Sequence, residues 1–445
     1  MSTCIIELND IGLFTTVAAG LYAESPGYAL LNGAEVVVGK YAQAAARLHP
    51  RQINNRFWQQ LGMNPLAEQS HLARHHADLA YLHLQHIHQL ASEPEQVIFA
   101  VPASFDREQL AVLLGITQQC PFDAVGLVDL AVAAAAGVDV AGSGVHIDMQ
   151  LHQAVVTSFS ASDGSVAREA TRIVEGGGML ALFNQFSHLI ADAFIQQCRF
   201  DPLHDAQSEQ LLYDALPEWL QQAPEVQEFV FEIPQANTVH KAKLPRDSFL
   251  EPVRQLQQRI QTRADELTDA IQCTLVTQRL FNLPGFFELV ANGIAVPQGA
   301  VADACWNHAD IISSDDASLP FITRLPATLV RQTNEPADLQ ASAQSMSTAT
   351  HIVVDNTAYA LGEEALYLHA NGDGCLAVAA NRDAQVQACL LKKPKQVWLD
   401  VEPGATVIVN DIAVQQKQSL AKGDRLSLAH GGPQALLIEV HGTQT

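Results

Sequence analysis

Basic residues are scarce in this 445-residue chain: 25 Lys and Arg stand against 48 Asp and Glu, a formal net charge of −23. Nucleic acid and anionic membrane surfaces both call for a basic face, so neither is expected as the main partner. Cysteine is sparse and scattered. Cys4, Cys120, Cys198, Cys273, Cys305, Cys375 and Cys389 make an odd number with no C-x-x-C among them. That excludes a disulfide framework or zinc knuckle as an expectation and makes a reducing cytoplasm the default. The first residues, MSTCIIELND, lack the basic and long apolar regions of a signal peptide. No apolar run approaches the roughly 18 residues of a membrane span, so no membrane insertion is expected. The length is enough for roughly two to four domains.

The most informative stretch runs from Val97 to Asp148. Val97–Val101 is a continuous apolar run of strand length, as in a parallel strand covered on both faces. Pro102 and Ser104 break it, and Asp106 is placed to cap a helix through Leu110–Leu114. Ala124–Val128 reads as a second strand and Leu130–Ala136 as an Ala-rich helix. After a turn at Gly142–Gly144, the strand Val145–Asp148 ends on a carboxylate. Such α/β units carry ligands at their strand ends.

Val101-Pro102-Ala103, Val128-Asp129-Leu130-Ala131 with its Ala run, and Asp148-Met149-Gln150-Leu151 together resemble landmarks of the nucleotide-binding domain of DnaK-type 70-kDa heat-shock chaperones, and more broadly the actin-like ATPases. The resemblance covers about residues 4–325. It implies an α/β fold with two lobes, 1–145 and 146–330. It also implies catalytic candidates Asp10, Asp148 and Asp129, and nucleotide-binding candidates Gly12, Gly176, Gly177, Gly178 and Gly293. ATP or ADP with Mg²⁺ is the ligand implied.

The chemistry of that family is degraded along the chain. Asp10 and Gly12 match the first phosphate loop between the strands Cys4–Leu8 and Leu13–Ala19, but Leu13 and Phe14 take its two hydroxyl positions. Ser25–Gly62 follows the family pattern of strand pair, Ala-rich helix and a second helix, yet Trp58 occupies the family's lysine position. Arg56 is the one cation available to substitute, and it is not an equivalent point charge. Gln150, Leu151 and His152 fill the second phosphate loop, and the chain continues as a pair of strands around the Ser162-Asp163-Gly164 turn. Gly176–Gly178 precedes the helix Leu180–Gln197, where backbone amides suit an anion; close packing is an equal explanation. The family's adenine-clamping pair falls near Glu218-Trp219. A long helical segment is expected over Lys243–Ile271. Phe286–Pro297 resembles the family's closing strand and loop, with Ala295 where it has arginine.

His71–Leu90 reads as an amphipathic helix, with His76 and His83 on its apolar face. His71 and His75 have a spacing that shares a cation, but no carboxylate or Cys completes a ligand set, so no metal site is expected.

Residues 331–349 are polar and aperiodic and read as a linker. Residues 350–445 read as an all-β sandwich. Gly404-Ala405, Val409-Asn410-Asp411, Leu420-Ala421-Lys422-Gly423-Asp424 and Leu426-Ser427-Leu428 resemble the second half of a forkhead-associated domain. Glu363-Glu364 follows Leu361-Gly362 where that family reads phosphate with arginine, and two carboxylates repel phosphate.

The expectation is a pseudo-ATPase scaffold with no bound cofactor, acting through an unidentified protein partner. An ATP-binding chaperone-like or filament-forming ATPase is the alternative, and a phosphopeptide-reading adaptor the third.

Overall fold

The computed structural model describes residues 2–17, 22–33, 35–221, 226–235, 238–268, 270–281, 283–314 and 319–327. Towards the C-terminus it describes 350–354, 357–361, 366–370, 376–379, 386–393, 396–401, 405, 407–409, 412–414, 418–420, 425–428 and 435–438. The chain divides into two compact units, Met1–Gln332 and Thr333–Thr445. The expected linker 331–349 lies outside the described residues.

In chain order the strands of the first unit are β1 (Thr3–Glu7), β2 (Leu13–Val17), β3 (Tyr22–Ser25), β4 (Ala29–Asn32), β5 (Glu35–Val38) and β6 (Ile53–Asn54). Next come β7 (Gln96–Val101), β8 (Asp123–Asp129), β9 (Gly142–Met149), β10 (Gln153–Ser162) and β11 (Ser165–Glu175). The last are β12 (Glu228–Gln235), β13 (Thr238–Pro245), β14 (Cys273–Thr277), β15 (Gly293–Val296), β16 (Phe321–Ile322) and β17 (Arg324–Pro326).

Two six-stranded sheets organise this unit, ordered β16-β8-β7-β1-β2-β3 and β15-β14-β9-β10-β11-β17. Their cores are the same pattern used twice. β1 pairs antiparallel with β2 and parallel with β7, as β9 pairs antiparallel with β10 and parallel with β14. β7 and β8, like β14 and β15, continue in parallel. Val97–Val101 is wholly buried in mid-sheet, which is why it is apolar at every position. The β10–β11 hairpin turns on Asp163 (φ 52°) and Gly164 (φ 71°), the left-handed pair that a two-residue turn requires.

The helix Leu130–Ala136 is buried at every residue and packs with the helix Ala300–Asn307 in a core shared by both sheets. Small side chains permit that close approach: a side chain at Gly137 would collide with the backbone of Ala300. A second core lies against the first sheet, under the helices His76–Leu90 and Arg107–Thr117. The third lies between the second sheet, the helices Met179–Cys198, Ala206–Gln221 and Leu250–Asp265, and the β12–β13 hairpin. Asp106 caps its helix as the sequence suggests, with Oδ1 accepting the Gln109 N–H at 2.8 Å.

Several expected elements differ. Gly142–Gly144 already belongs to β9. The Ala-rich helix after Gly39 is one turn, Lys40–Gln43, and no helix covers 56–62, which runs as turns. The histidine-rich helix starts at His76, because Asp78 Oδ2 accepts the His75 N–H at 3.0 Å and closes its N-terminus there. His71 and His75 therefore do not share a helix face. Lys243 lies in β13, and the helix expected from it begins at Leu250, after a 3₁₀ turn at Arg246–Phe249. Phe286–Leu289 is a turn of which Phe287–Leu289 is 3₁₀, not a strand.

In the second unit the described strands form two antiparallel sheets. One is ordered Leu376–Ala379, Leu366–Ala370, Val386–Lys393, Gln396–Val401, Gln418–Leu420. The other is ordered Thr357–Ala360, His351–Val354, Ala435–Ile438, Arg425–Ser427, Val407–Val409, Ile412–Val414. Ile352, Leu368, Leu399 and Leu437 from both sheets meet in one core. Of the motif positions, Gly362–Glu364, Gly404, Asn410-Asp411 and Ala421–Asp424 lie outside the described residues. No helix among the described residues is long and apolar enough to cross a membrane.

Candidate functional site

Ligands of α/β sheets bind beyond the carboxyl ends of strands. In the first unit the turns leaving β1 and β9, the equivalent central strands of the two sheets, meet and hydrogen-bond to each other. Asn9 Nδ2 donates to Asp148 Oδ1 at 2.8 Å and to Met149 O at 2.7 Å. The Leu151 N–H donates to Asp10 Oδ1 at 2.7 Å. Asn9 also holds its own turn, its Oδ1 accepting the Ile11 N–H at 2.9 Å and its carbonyl the Gly12 N–H at 3.1 Å. Asn9, Asp10, Asp148, Gln150 and Leu151 are all buried.

A directional chain of amides reinforces this closure. Arg56 Nη1 donates to Gln59 Oε1 (2.9 Å), Gln59 Nε2 to Gln153 Oε1 (3.1 Å), Gln153 Nε2 to Gln150 Oε1 (2.8 Å) and Gln150 Nε2 to Asp148 Oδ2 (3.3 Å). A guanidinium heads the chain and a carboxylate ends it, so every bond polarises the next in the same sense. It starts in the segment whose Phe57, Trp58 and Leu61 fill the first sheet's core and ends on the second sheet. The chain runs along a cavity of about 910 Å³ that Asp10, Trp58, Gln109 and Gln150 also line.

Charge at this junction is dominated by acids. Burial pushes Asp10 up to about 7, opposed by the Leu151 amide and reinforced by Asp148. Burial also lifts Asp148 to about 6, against the pull of Arg279, Gln150 and Asn9. Glu7, at the end of β1, is raised to about 7 by burial, with Arg279 pulling down and Asp148 and Glu24 pushing up. Arg279 is the facing cation. Its Nη2 donates to Gly12 O at 2.8 Å and to Glu24 Oε1 at 3.1 Å.

Of the residues singled out from the sequence, Asp10, Gly12, Asp148, Gln150 and Leu151 come together here, with Gly178 packed against the second turn. A side chain at Gly12 would collide with Glu24, and its carbonyl is taken by Arg279. Leu13 and Phe14 are buried in β2. Asp129 is a helix cap: its Oδ1 accepts the Ala131 and Val132 N–H groups at 3.0 and 3.1 Å, and its Oδ2 pairs with Arg168 at 2.8 Å. Burial raises Asp129, with Arg168 and the two amides opposing. Gly178 starts the helix Met179–Cys198, but the Met179 and Leu180 amides already donate to Gln150 O and Leu151 O at 2.9 and 3.0 Å. A side chain at Gly178 would collide with the backbone of Leu151, His152 and Gln153, so the glycine serves close packing. Gly177 packs on Val174, while Gly176 (φ 62°) is open. Gly293 pairs with Thr274 at the start of β15, the end of the sheet away from the junction, under the Phe287 ring.

Trp58 is buried, its Nε1 donating to His83 Nδ1 at 2.9 Å. That fixes the His83 proton on Nε2, which donates to Ser25 Oγ at 2.8 Å. Burial pushes His83 down to about 3. His83 is therefore a satisfied core histidine that cannot act as a base toward Ser25. Trp219 packs against Phe231 in the core; Gln210, Tyr213, Asp214, Pro217 and Leu220 of the same helix line a cavity of about 500 Å³.

Glu7, Asn9, Gln59, Gln153 and Arg279 escaped the sequence reading. Two carried a signal. Glu7 is an acid in the otherwise apolar strand Cys4–Leu8, and Arg279 is the one Lys or Arg between Arg263 and Arg324.

The residues present do not fit Mg²⁺-ATP. The amides of Leu151, Met179 and Leu180 and one oxygen of Asp10 are bound within the chain. Among the described residues no trio of His, Cys, Asp and Glu is grouped to hold a metal. In comparisons with known proteins, no family model matches the chain and no curated protein matches its sequence.

Proposed function

We propose that the first unit is a two-lobed actin/DnaK-like fold that has left nucleotide chemistry and serves as a cytoplasmic scaffold for protein contacts. The second unit, forkhead-associated-like, is its other contact module, and nucleic acid is not a partner. The reading rests on one observation: the groups that would grip phosphate from two sides grip each other, through Leu151 N–H to Asp10 Oδ1 and Asn9 Nδ2 to Asp148 Oδ1. The repeated strand order of the two sheets supports the two-lobed architecture. Trp58 at the lysine position supports the loss of catalysis.

A second reading, an ATP-binding ATPase, draws on a cavity of about 500 Å³ bounded by Tyr28, Arg47, Asn184, Tyr213 and Arg279. Its volume suits a small molecule. Both cations are engaged, however: Arg47 stacks 3.5 Å over the Tyr213 ring and pairs with Glu209, and Arg279 binds Gly12 and Glu24.

Calorimetric titration of Mg²⁺-ATP and Mg²⁺-ADP into the full chain separates the two. The scaffold reading predicts no saturable heat at millimolar nucleotide. Micromolar binding that weakens in Asp148→Asn would establish the ATPase reading instead.

A further inference from the structure

A cavity of about 540 Å³ opens where β1, β9, β14 and β15 end, adjoining the one bounded by Tyr28 and Tyr213, with which it shares Glu24 and Arg279. Among the described residues, three carboxylates, Glu7, Glu24 and Asp148, line it against a single cation, Arg279, which already pairs with Glu24. Two polar atoms of the lining are buried without a hydrogen-bond partner: His146 Nε2, on a residue only 2% exposed, and Thr277 Oγ1. Buried polar atoms in folded proteins are rarely left unpaired, so the pair marks a place for a ligand. Burial holds His146 neutral, down to about 4, so its ring offers a lone pair rather than a second positive charge.

The geometry points to a binding site for a small organic ammonium ligand, whose N–H groups donate to Glu7, Asp148, Thr277 Oγ1 and His146 Nε2. Each of these can accept a hydrogen bond, and the carboxylates outnumber the cation, so the missing partner is a positively charged donor. A bare metal ion fits less well. The volume is that of an organic molecule, and no trio of ligating groups converges among the described residues. Phe14, Leu130, Val296 and Val301 supply apolar wall for a short hydrocarbon body. Burial keeps Glu7 and Asp148 well above the ordinary carboxylate range, and a seated cation favours their charged forms. This site stands whether or not the neighbouring cleft binds nucleotide.

The test is a calorimetric titration of putrescine and of n-butylamine into the full chain near neutral pH, with tetramethylammonium and MgCl₂ as comparisons. Saturable binding of one amine per chain is expected, weakened about tenfold or more in Glu7→Gln and several-fold in Thr277→Val. Tetramethylammonium, which has no N–H to donate, should give no saturable heat. Absence of amine binding up to about 10 mM, at the weak end of specific affinities, would overturn the assignment. So would tetramethylammonium or Mg²⁺ binding as tightly as the amines. Unchanged affinity in Thr277→Val, the milder substitution if Glu7→Gln does not fold, would likewise overturn it.

Discussion

The Leu151 N–H reaches Asp10 Oδ1 at 2.7 Å across 141 positions of chain. It joins the turn after the first strand of one sheet to the turn after the first strand of the other. A carboxylate here occupies the amide that, on the proposed reading, a phosphate would need. Asp10 is buried beside Asp148, so the bond is made in a place that resists ionisation.

Asp10 therefore makes stability depend on pH in a defined direction. Its folded value is about 7 against an ordinary 3.8, so the folded chain keeps a proton that the unfolded chain has lost. The contribution is fully present below about pH 3.8 and disappears as pH rises through 7. Asp10→Asn retains an oxygen for the Leu151 amide and does not titrate. The melting temperature of the variant, relative to the parent, should rise from about pH 4 to 7 and then level off. Parallel curves would contradict it.

Trp58 should resist conversion to lysine. Trp58→Phe removes the donor to His83 Nδ1 and should cost about 1–3 kcal/mol in urea unfolding. Trp58→Lys adds an ammonium to a site only 3% exposed and should cost more, without producing ATP turnover. A stable Trp58→Lys protein that hydrolyses ATP would refute the account of this position.

Gly176 and Gly178 should separate by role. Gly178→Ala drives a methyl into the backbone of the second turn and should destabilise by about 1–3 kcal/mol or more. Gly176→Ala meets open space but holds φ at 62°, and should cost about 1–2 kcal/mol. Chemical denaturation reads both. Equal, negligible effects would mean that neither packing nor conformation selects these glycines.

Asp129 should behave as a buried anion with one counter-charge. Arg168→Ala leaves the carboxylate unpaired and should cost roughly 3–5 kcal/mol. Adding Asp129→Asn should recover part of that, because Asn still caps a helix without bearing charge. A double variant no more stable than Arg168→Ala would show that the pairing contributes little.

Local patterns were legible in the sequence, whereas long-range pairings were not. Val97–Val101 announces a covered parallel strand because both of its faces are buried, and Asp106 announces a helix start because capping is local. The Asn9–Asp148 and Gln59–Gln153 bonds span 139 and 94 positions and leave no local pattern. The second helix that the resemblance implied before Gly62 is instead a series of turns, from which Phe57, Trp58 and Leu61 fill the core. The segment before His76 is likewise not helical: its backbone bonds run elsewhere, Leu66 N–H to Arg74 O at 2.8 Å among them. At Gly176–Gly178 the sequence left anion binding and close packing equal. The Gln150 and Leu151 carbonyls on the helix's first amides decide for packing.

The central claim is that the two turns are each other's ligand. Native-state hydrogen exchange at the amides of Ile11, Leu151, Met179 and Leu180 tests it most directly, with and without millimolar Mg²⁺-ATP. The account predicts slow exchange, with opening free energies close to global unfolding, unaltered by nucleotide. Fast exchange of these amides that slows when Mg²⁺-ATP is added would mean that the turns open to receive phosphate, and would contradict it.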